Sequence, residues 1–175
     1  MGSEPLTLGF DTSAAHCAAA LLSGERVLAA RADEMARGQA ERLVPLLEEV
    51  LAEAGAAWRD LDRIGVGIGP GNFTGIRIAV ATARGLSLSL GIPSVGINAF
   101  EVIRAGGLPG TPAVPAPRGM LHVAQDGARP TLIAAADLAD PVLLPPPAEM
   151  AQRIAALAQA TPENTPLPAP LYARP

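Results

Sequence analysis

Apolar residues alternate through Leu6, Leu8 and Phe10 and stop at the polar turn Asp11, Thr12, Ser13, the period-two signature of a strand. Two more strands are predicted over residues 15–22 (AHCAAALL) and 26–32 (RVLAARA), joined as a hairpin through Ser23, Gly24 and Glu25. From Gln39 to Ala54 the spacing changes. Leu43, Leu46, Leu47, Val50, Leu51 and Ala54 recur at three and four, with Glu41, Arg42, Glu48, Glu49 and Glu53 on the other side, which predicts an amphipathic helix. Pro45 fits if that helix begins only a turn earlier, where an amide has no intrahelical partner to lose.

The pattern then alternates strand and helix: a strand over 64–68 (IGVGI), a loop from Gly69 to Thr74, a helix over 75–90, a strand over 92–97 and a short helix over 99–105. Gly106, Gly107, Pro109, Gly110 and Pro112 mark a boundary. Three leading strands followed by helix-linked ones predict an α/β lobe, a mixed sheet with helices packed on it. Proline divides the chain, with 4 of 18 in residues 1–106 and 14 in residues 107–175. The expected organisation is an N-terminal lobe (1–106) and a shortened proline-rich C-terminal lobe (107–175). In the second, a hairpin over 120–125 and 130–136 is expected around Asp126 and Gly127, and a helix over 148–159, with coil elsewhere. About 70 residues are marginal as an independent unit, so this part is expected to lean on the first.

Composition narrows the chemistry. The 175 residues are 49% hydrophobic but only 3% aromatic, so the core is built from small and aliphatic side chains. All 13 basic residues are Arg, which excludes a Walker-type lysine loop, a Schiff base and a carbamylated lysine ligand. A net charge of -4 opposes unaided binding to a phosphate backbone, so any nucleic-acid role is expected to need a basic partner. Cys17 is a lone cysteine, in keeping with a reducing compartment. No long apolar run or basic-then-apolar leader stands out, so a cytoplasmic protein without membrane attachment is expected.

Two segments could carry chemistry. Gly69, Pro70, Gly71, Asn72, Phe73, Thr74 and Gly75 lie between a buried strand and a helix start, where glycines allow close approach of an anion or of another backbone. Asp11, Thr12 and Ser13 close a strand, as a phosphate-cradling turn would and as an ordinary polar turn also would. As a dinucleotide fingerprint the first segment lacks an acidic residue about 20 positions on, and as a P-loop it lacks lysine. His16 and Cys17 are neighbours in a strand and point to opposite faces, so no shared metal is expected. A triad from Asp11, Ser13 and His16 has no oxyanion support, and Glu48 and Glu49 read as a solvated helix face. No catalytic residue, metal or cofactor is assigned; Asp11, Thr12 and Ser13 stand as vestigial nucleotide-site candidates.

Residues 69–78, GPGNFTGIRI, resemble the signature loop of the bacterial tRNA threonylcarbamoyladenosine biosynthesis family TsaB, also called YeaZ. GFDTS at 9–13, the helix QAERLVPLLEEVLAEAG, the stretch ATARGLSLSLGIPSVGI and the closing LYAR at 171–174 support the likeness. It implies an actin-like (ASKHA) fold with a reduced C-terminal lobe. It further implies a non-catalytic subunit that docks a TsaD-type catalytic subunit, joins a TsaE-type ATPase through the complex, and pairs with itself when alone. Val114 to Arg118 (VPAPR) departs from the Asp-Ala-Arg-like step that related chains often carry. The other class of reading is an actin-like nucleotide-binding enzyme using Asp11, Thr12 and the glycine loop.

The helix after the loop is apolar on two sides. On a wheel at about 100° per residue, Ile76, Ala79, Val80, Ala83, Leu86 and Leu90 form one face and Ile78, Ala81, Gly85 and Leu88 the other, the latter bounded by Arg77 and Arg84. The first face suits the sheet. The second, with the loop, is expected to be the partner-binding surface.

Overall fold

The computed structural model describes residues 4–124 and 128–173. Strand β1 (Leu6–Asp11) lies at the centre of a five-stranded sheet ordered β3-β2-β1-β4-β5, with β2 (His16–Ser23), β3 (Arg26–Glu34), β4 (Arg63–Gly67) and β5 (Ser94–Ile97). The first three strands form an antiparallel meander, whereas β4 and β5 run parallel to β1. Helix α1 (Gln39–Glu53) makes the crossover to β4 and α2 (Phe73–Leu90) the crossover to β5. Each predicted element of residues 1–106 is present, within two residues at most ends. Pro45 corrects the expected position: it lies in the helix interior, seven residues in. Pro45 and Glu41 are both exposed, so the carbonyl left without a donor faces water.

Alternation along the strands creates two cores. Leu8, Phe10, Cys17, Leu21, Ile64 and Val66 face α1 and α2. On the other side the sheet is faced with small residues, because Gly9 pairs with Gly65 on β4 and with Ala20 on β2. Helix α4 (Pro147–Ala160) lies on this patch, with Ala151 and Ala155 against Ala18, Ala20 and Leu22. A Cβ at Gly9 would stand 2.5 Å from the Ala151 carbonyl oxygen and 2.6 Å from the Ala155 nitrogen. The Ala-rich second strand and its glycine neighbours thus set how closely a helix can approach. Farther along, Val95 and Ile97 pack on Met150 and Ile154.

The change in composition at residue 106 therefore does not coincide with a break in packing: α4 belongs to the first sheet. Between α3 (Ala99–Arg104) and α4 the chain forms a second sheet ordered β8-β7-β6-β9, from β6 (Thr111–Ala116), β7 (Met120–Val123), β8 (Thr131–Ala134) and β9 (Pro141–Val142). The expected β7–β8 hairpin pairs as antiparallel strands, and its Asp126, Gly127 turn lies outside the described residues. The segment TPAVPA, read from its prolines as coil, is instead β6. The Thr111 amide donates to Asp140 toward β9, so by alternation residues 111, 113 and 115 aim that way and 112, 114 and 116 aim toward β7. Strand β9 covers only residues 111–112 and β7 only 113–116. Each proline nitrogen thus faces the side where the neighbouring strand is missing, and no ladder bond is lost.

Candidate functional site

The two segments singled out in the sequence meet. The Asn72 amide donates to the Ser13 carbonyl at 2.7 Å, and the Thr12 hydroxyl donates to the Gly75 carbonyl at 2.6 Å. A Cβ at Gly75 would collide with the Thr12 carbonyl oxygen, one at Gly71 with that of Ser13, and one at Gly67 with the Asp11 carboxylate. Gly71 and Gly75 thus serve the close approach of one backbone to another, and Gly67 leaves room for the Asp11 side chain. Asn72 caps α2 by accepting from the Gly75 amide at 2.8 Å. Gly69 has φ 94° and precedes a cis peptide to Pro70.

Asp11 and Thr12 are fully buried. One carboxylate oxygen of Asp11, Oδ2, accepts from the Ser13 amide and hydroxyl, both at 2.9 Å, and from His16 Nε2 at 2.7 Å. The structure thus gathers Asp11, Ser13 and His16, but the carboxylate stands between the other two. The imidazole nitrogen is spent on the carboxylate and does not reach the hydroxyl as a base would. Cys17 points into the opposite core, where burial pushes its thiol up to about 11, so it carries no appreciable thiolate at neutral pH. Among the described residues no group of three or more His, Cys, Asp or Glu is placed to hold a metal ion.

The proposed partner surface separates into two sets. Gly69, Pro70 and Gly75 are buried and shape the loop from within. Gly71, Asn72, Phe73, Thr74, Arg77, Ala81, Gly85 and Leu88 are exposed, while Ile78 is half-buried against the core. Leu88 is 87% exposed, and a Cβ at Gly85 would meet nothing within 4 Å. The other face of α2, with Ile76, Ala79, Val80 and Ala83, is buried as expected. One juxtaposition was not readable from the sequence. The chain end returns to this loop: the Leu171 amide donates to the Ile68 carbonyl at 2.8 Å, and Tyr172 stacks on Phe73 with ring centroids 4.9 Å apart. Arg77 lies over the Phe73 ring at 5.3 Å. Arg174, the last residue of the LYAR motif, lies outside the described residues.

A central strand β1 paired antiparallel on one side and parallel on the other, with crossover helices α1 and α2 on one face, defines an actin-like α/β protein. A solved structure from Pseudomonas aeruginosa, described as an uncharacterized protein with similarity to peptidase YEAZ, has the same architecture. It matches at a TM-score of 0.73 and 26% identity, over 95% of this chain and 99% of that one. The profile of the family TsaD, tRNA N6-adenosine threonylcarbamoyltransferase, matches residues 32–161. The chain belongs to that family, and within it to the TsaB/YeaZ type. The tRNA threonylcarbamoyladenosine biosynthesis protein TsaB of Buchnera aphidicola is 34% identical over 98 residues, 56% of this chain and 46% of that protein. Its namesake from Escherichia coli is 29% identical over 99 residues, 57% of this chain and 42% of that protein. The matched stretch spans less than half the length of these relatives. Among the described residues no helix is long and apolar enough to cross a membrane.

Proposed function

We propose that this protein is a non-catalytic subunit of the machinery that makes threonylcarbamoyladenosine in tRNA, and that it docks a TsaD-type catalytic subunit through the outer face of α2. The observation that carries the docking surface is a helix buried on one side and apolar on the other, with Leu88 87% exposed and open space over Gly85. Small residues at Ala81 and Gly85 let a facing helix approach closely, and Arg77 and Arg84 at the rim supply charge for register. The relatives named for this biosynthesis supply the pathway. The same stripe serves a homodimer when the chain is alone, so the two assemblies exclude each other. A TsaE-type ATPase joins through the complex, tRNA is reached only through it, and the assembly works in the cytoplasm. The acidic balance supports the indirect contact with tRNA.

Ala81→Arg tests the surface. Ala81 is exposed in the isolated chain, so the variant folds with unchanged thermal stability. Buried against a partner, the unpaired guanidinium costs several-fold to orders of magnitude in affinity. The expected result is a monomer by light scattering that no longer retains a TsaD-type protein in a pull-down. A folded variant that still forms both assemblies places the surface elsewhere. The pathway is tested separately, by the loss of threonylcarbamoyladenosine from tRNA on deleting the gene and its return on complementation.

A further inference from the structure

Beyond α4 the described residues form no helix or strand, yet the chain is held along its course. The Thr161 carbonyl accepts from the Arg63 guanidinium at the start of β4. Pro168 is buried on Gly96 of β5, where a Cβ would stand 3.4 Å from the proline Cα. The Leu171 amide then donates to Ile68, and the Leu171 carbonyl oxygen passes so near Gly69 that a Cβ there would lie 3.0 Å from it. These contacts deliver Tyr172 to the ring of Phe73, the first residue of α2.

Ordering a coil segment near a chain end costs conformational entropy, and such segments fray unless something ties them down. What the ordering accomplishes here is to fix one side chain. The backbone around Phe73 is already held, because the Asn72 amide donates to Ser13 and the Ile76 amide to Asn72. The ring itself meets Tyr172 on stacking and Arg77, one turn along α2, above its face. The chain end does not hide this ring, since Phe73 stays 55% exposed and Tyr172 41%. Two rings and a guanidinium are thus left open beside the outer face of α2. Aromatic and arginine side chains are the usual anchors of an interface, and an anchor fixed beforehand loses less entropy on binding.

We propose that residues 168–173 are a strap that presets the docking face of α2, with Tyr172 as the positioning residue that holds Phe73 and Arg77 in place for the partner subunit. This role rests on the docking proposed for α2 and adds what prepares that surface. The preset cluster fits a partner patch that lays an aliphatic side chain on the rings and offers a carboxylate to the guanidinium, whose N–H groups stay free when it stacks.

Tyr172 is the only tyrosine in the chain, so its ring signals are unambiguous by NMR. The full chain is expected to show nuclear Overhauser contacts between the Tyr172 and Phe73 rings and a slowly exchanging Leu171 amide. Tyr172→Ala should raise exchange at Leu171 about fivefold or more while leaving Tm within about 2 °C. In a binding titration with a TsaD-type protein it should weaken docking by about three- to tenfold. Tyr172→Phe, which keeps the ring, should restore slow exchange and docking together. Ala81→Arg should abolish docking and leave the ring contact and the Leu171 exchange unaltered. If Ala81→Arg abolishes docking while Tyr172→Ala docks as tightly as the parent, the strap proposal fails and the docking surface stands. Tighter docking by Tyr172→Ala, a missing ring contact or unchanged Leu171 exchange overturns the strap as well. Docking untouched by either variant overturns the α2 surface itself, and the strap's role with it.

Discussion

The two sheets of this protein are held together in different ways. The five-stranded sheet is covered on both faces, by α1 and α2 on one and α4 on the other, and its interior residues are buried to the last few per cent. The four-stranded sheet has short strands and a largely half-buried lining; Val114 and Leu121 are buried, while Leu132 and Ile133 on its edge are only partly so. It rests on α3 through Phe100, Ile103 and Val114. The first sheet is therefore expected to carry the global stability, and the second to open more readily.

The largest effect should come from the glycine patch under α4. Gly9→Val drives a branched side chain into the helix backbone and should cost about 3 kcal/mol or more, seen as a collapse of the urea midpoint by circular dichroism. A midpoint near that of the parent would mean that α4 is free to lift from the sheet. Next comes a matched pair. Ile154→Ala, at a fully buried position in α4, should cost about 3 kcal/mol, whereas Leu132→Ala in β8 should cost under about 1 kcal/mol. Equal losses would show that the small sheet is as cohesive as the large one.

A smaller effect of opposite sign is expected on α2. Gly85 is an exposed helical glycine with open space for a Cβ, so Gly85→Ala should stabilise by about 0.5–1 kcal/mol, a rise of a few degrees in Tm. Unchanged or lower stability would mean that the helix is not regular there. The smallest effect is pH-linked and belongs to the second sheet. Burial holds the folded-state pKa of His122 below its ordinary 6.5. The unfolded chain takes up this proton first as pH falls, so the stability tied to the neutral imidazole is present above about pH 6.5 and is lost as pH drops through the lower folded value. Denaturation of parent and His122→Leu at pH 7.5 and 5.5 should show a smaller acid-linked loss in the variant; identical losses would exclude His122 as a contributor.

Much of the first sheet was legible because its signals are local. Alternation through Leu6, Leu8 and Phe10, the three-and-four spacing of α1 and the helix behind Asn72 each depend on a residue's near neighbours, and all were recovered. Strand β6 was not, because Pro112 and Pro115 ordinarily mark coil, and only the offset of β7 and β9 along that strand makes both harmless. The site was legible as two motifs but not as one structure. The hydrogen bonds from Thr12 to Gly75 and from Asn72 to Ser13 span about sixty residues of chain, beyond anything local spacing encodes.

The sequence by itself determined the element order of residues 1–106, the absence of lysine chemistry and the two-faced character of α2, since each follows from residue identity and short-range periodicity. Only the tertiary structure decided what the small residues are for. The Ala-rich β2 and the Gly9–Gly65 pair gain meaning when α4, roughly 90 to 140 residues later, settles on them. Likewise the loop glycines admit the Asp11–Ser13 turn, and the chain end returns to stack Tyr172 on Phe73. Close packing is a relation between surfaces distant in sequence, and a residue without a side chain carries no sign of which surface will approach it.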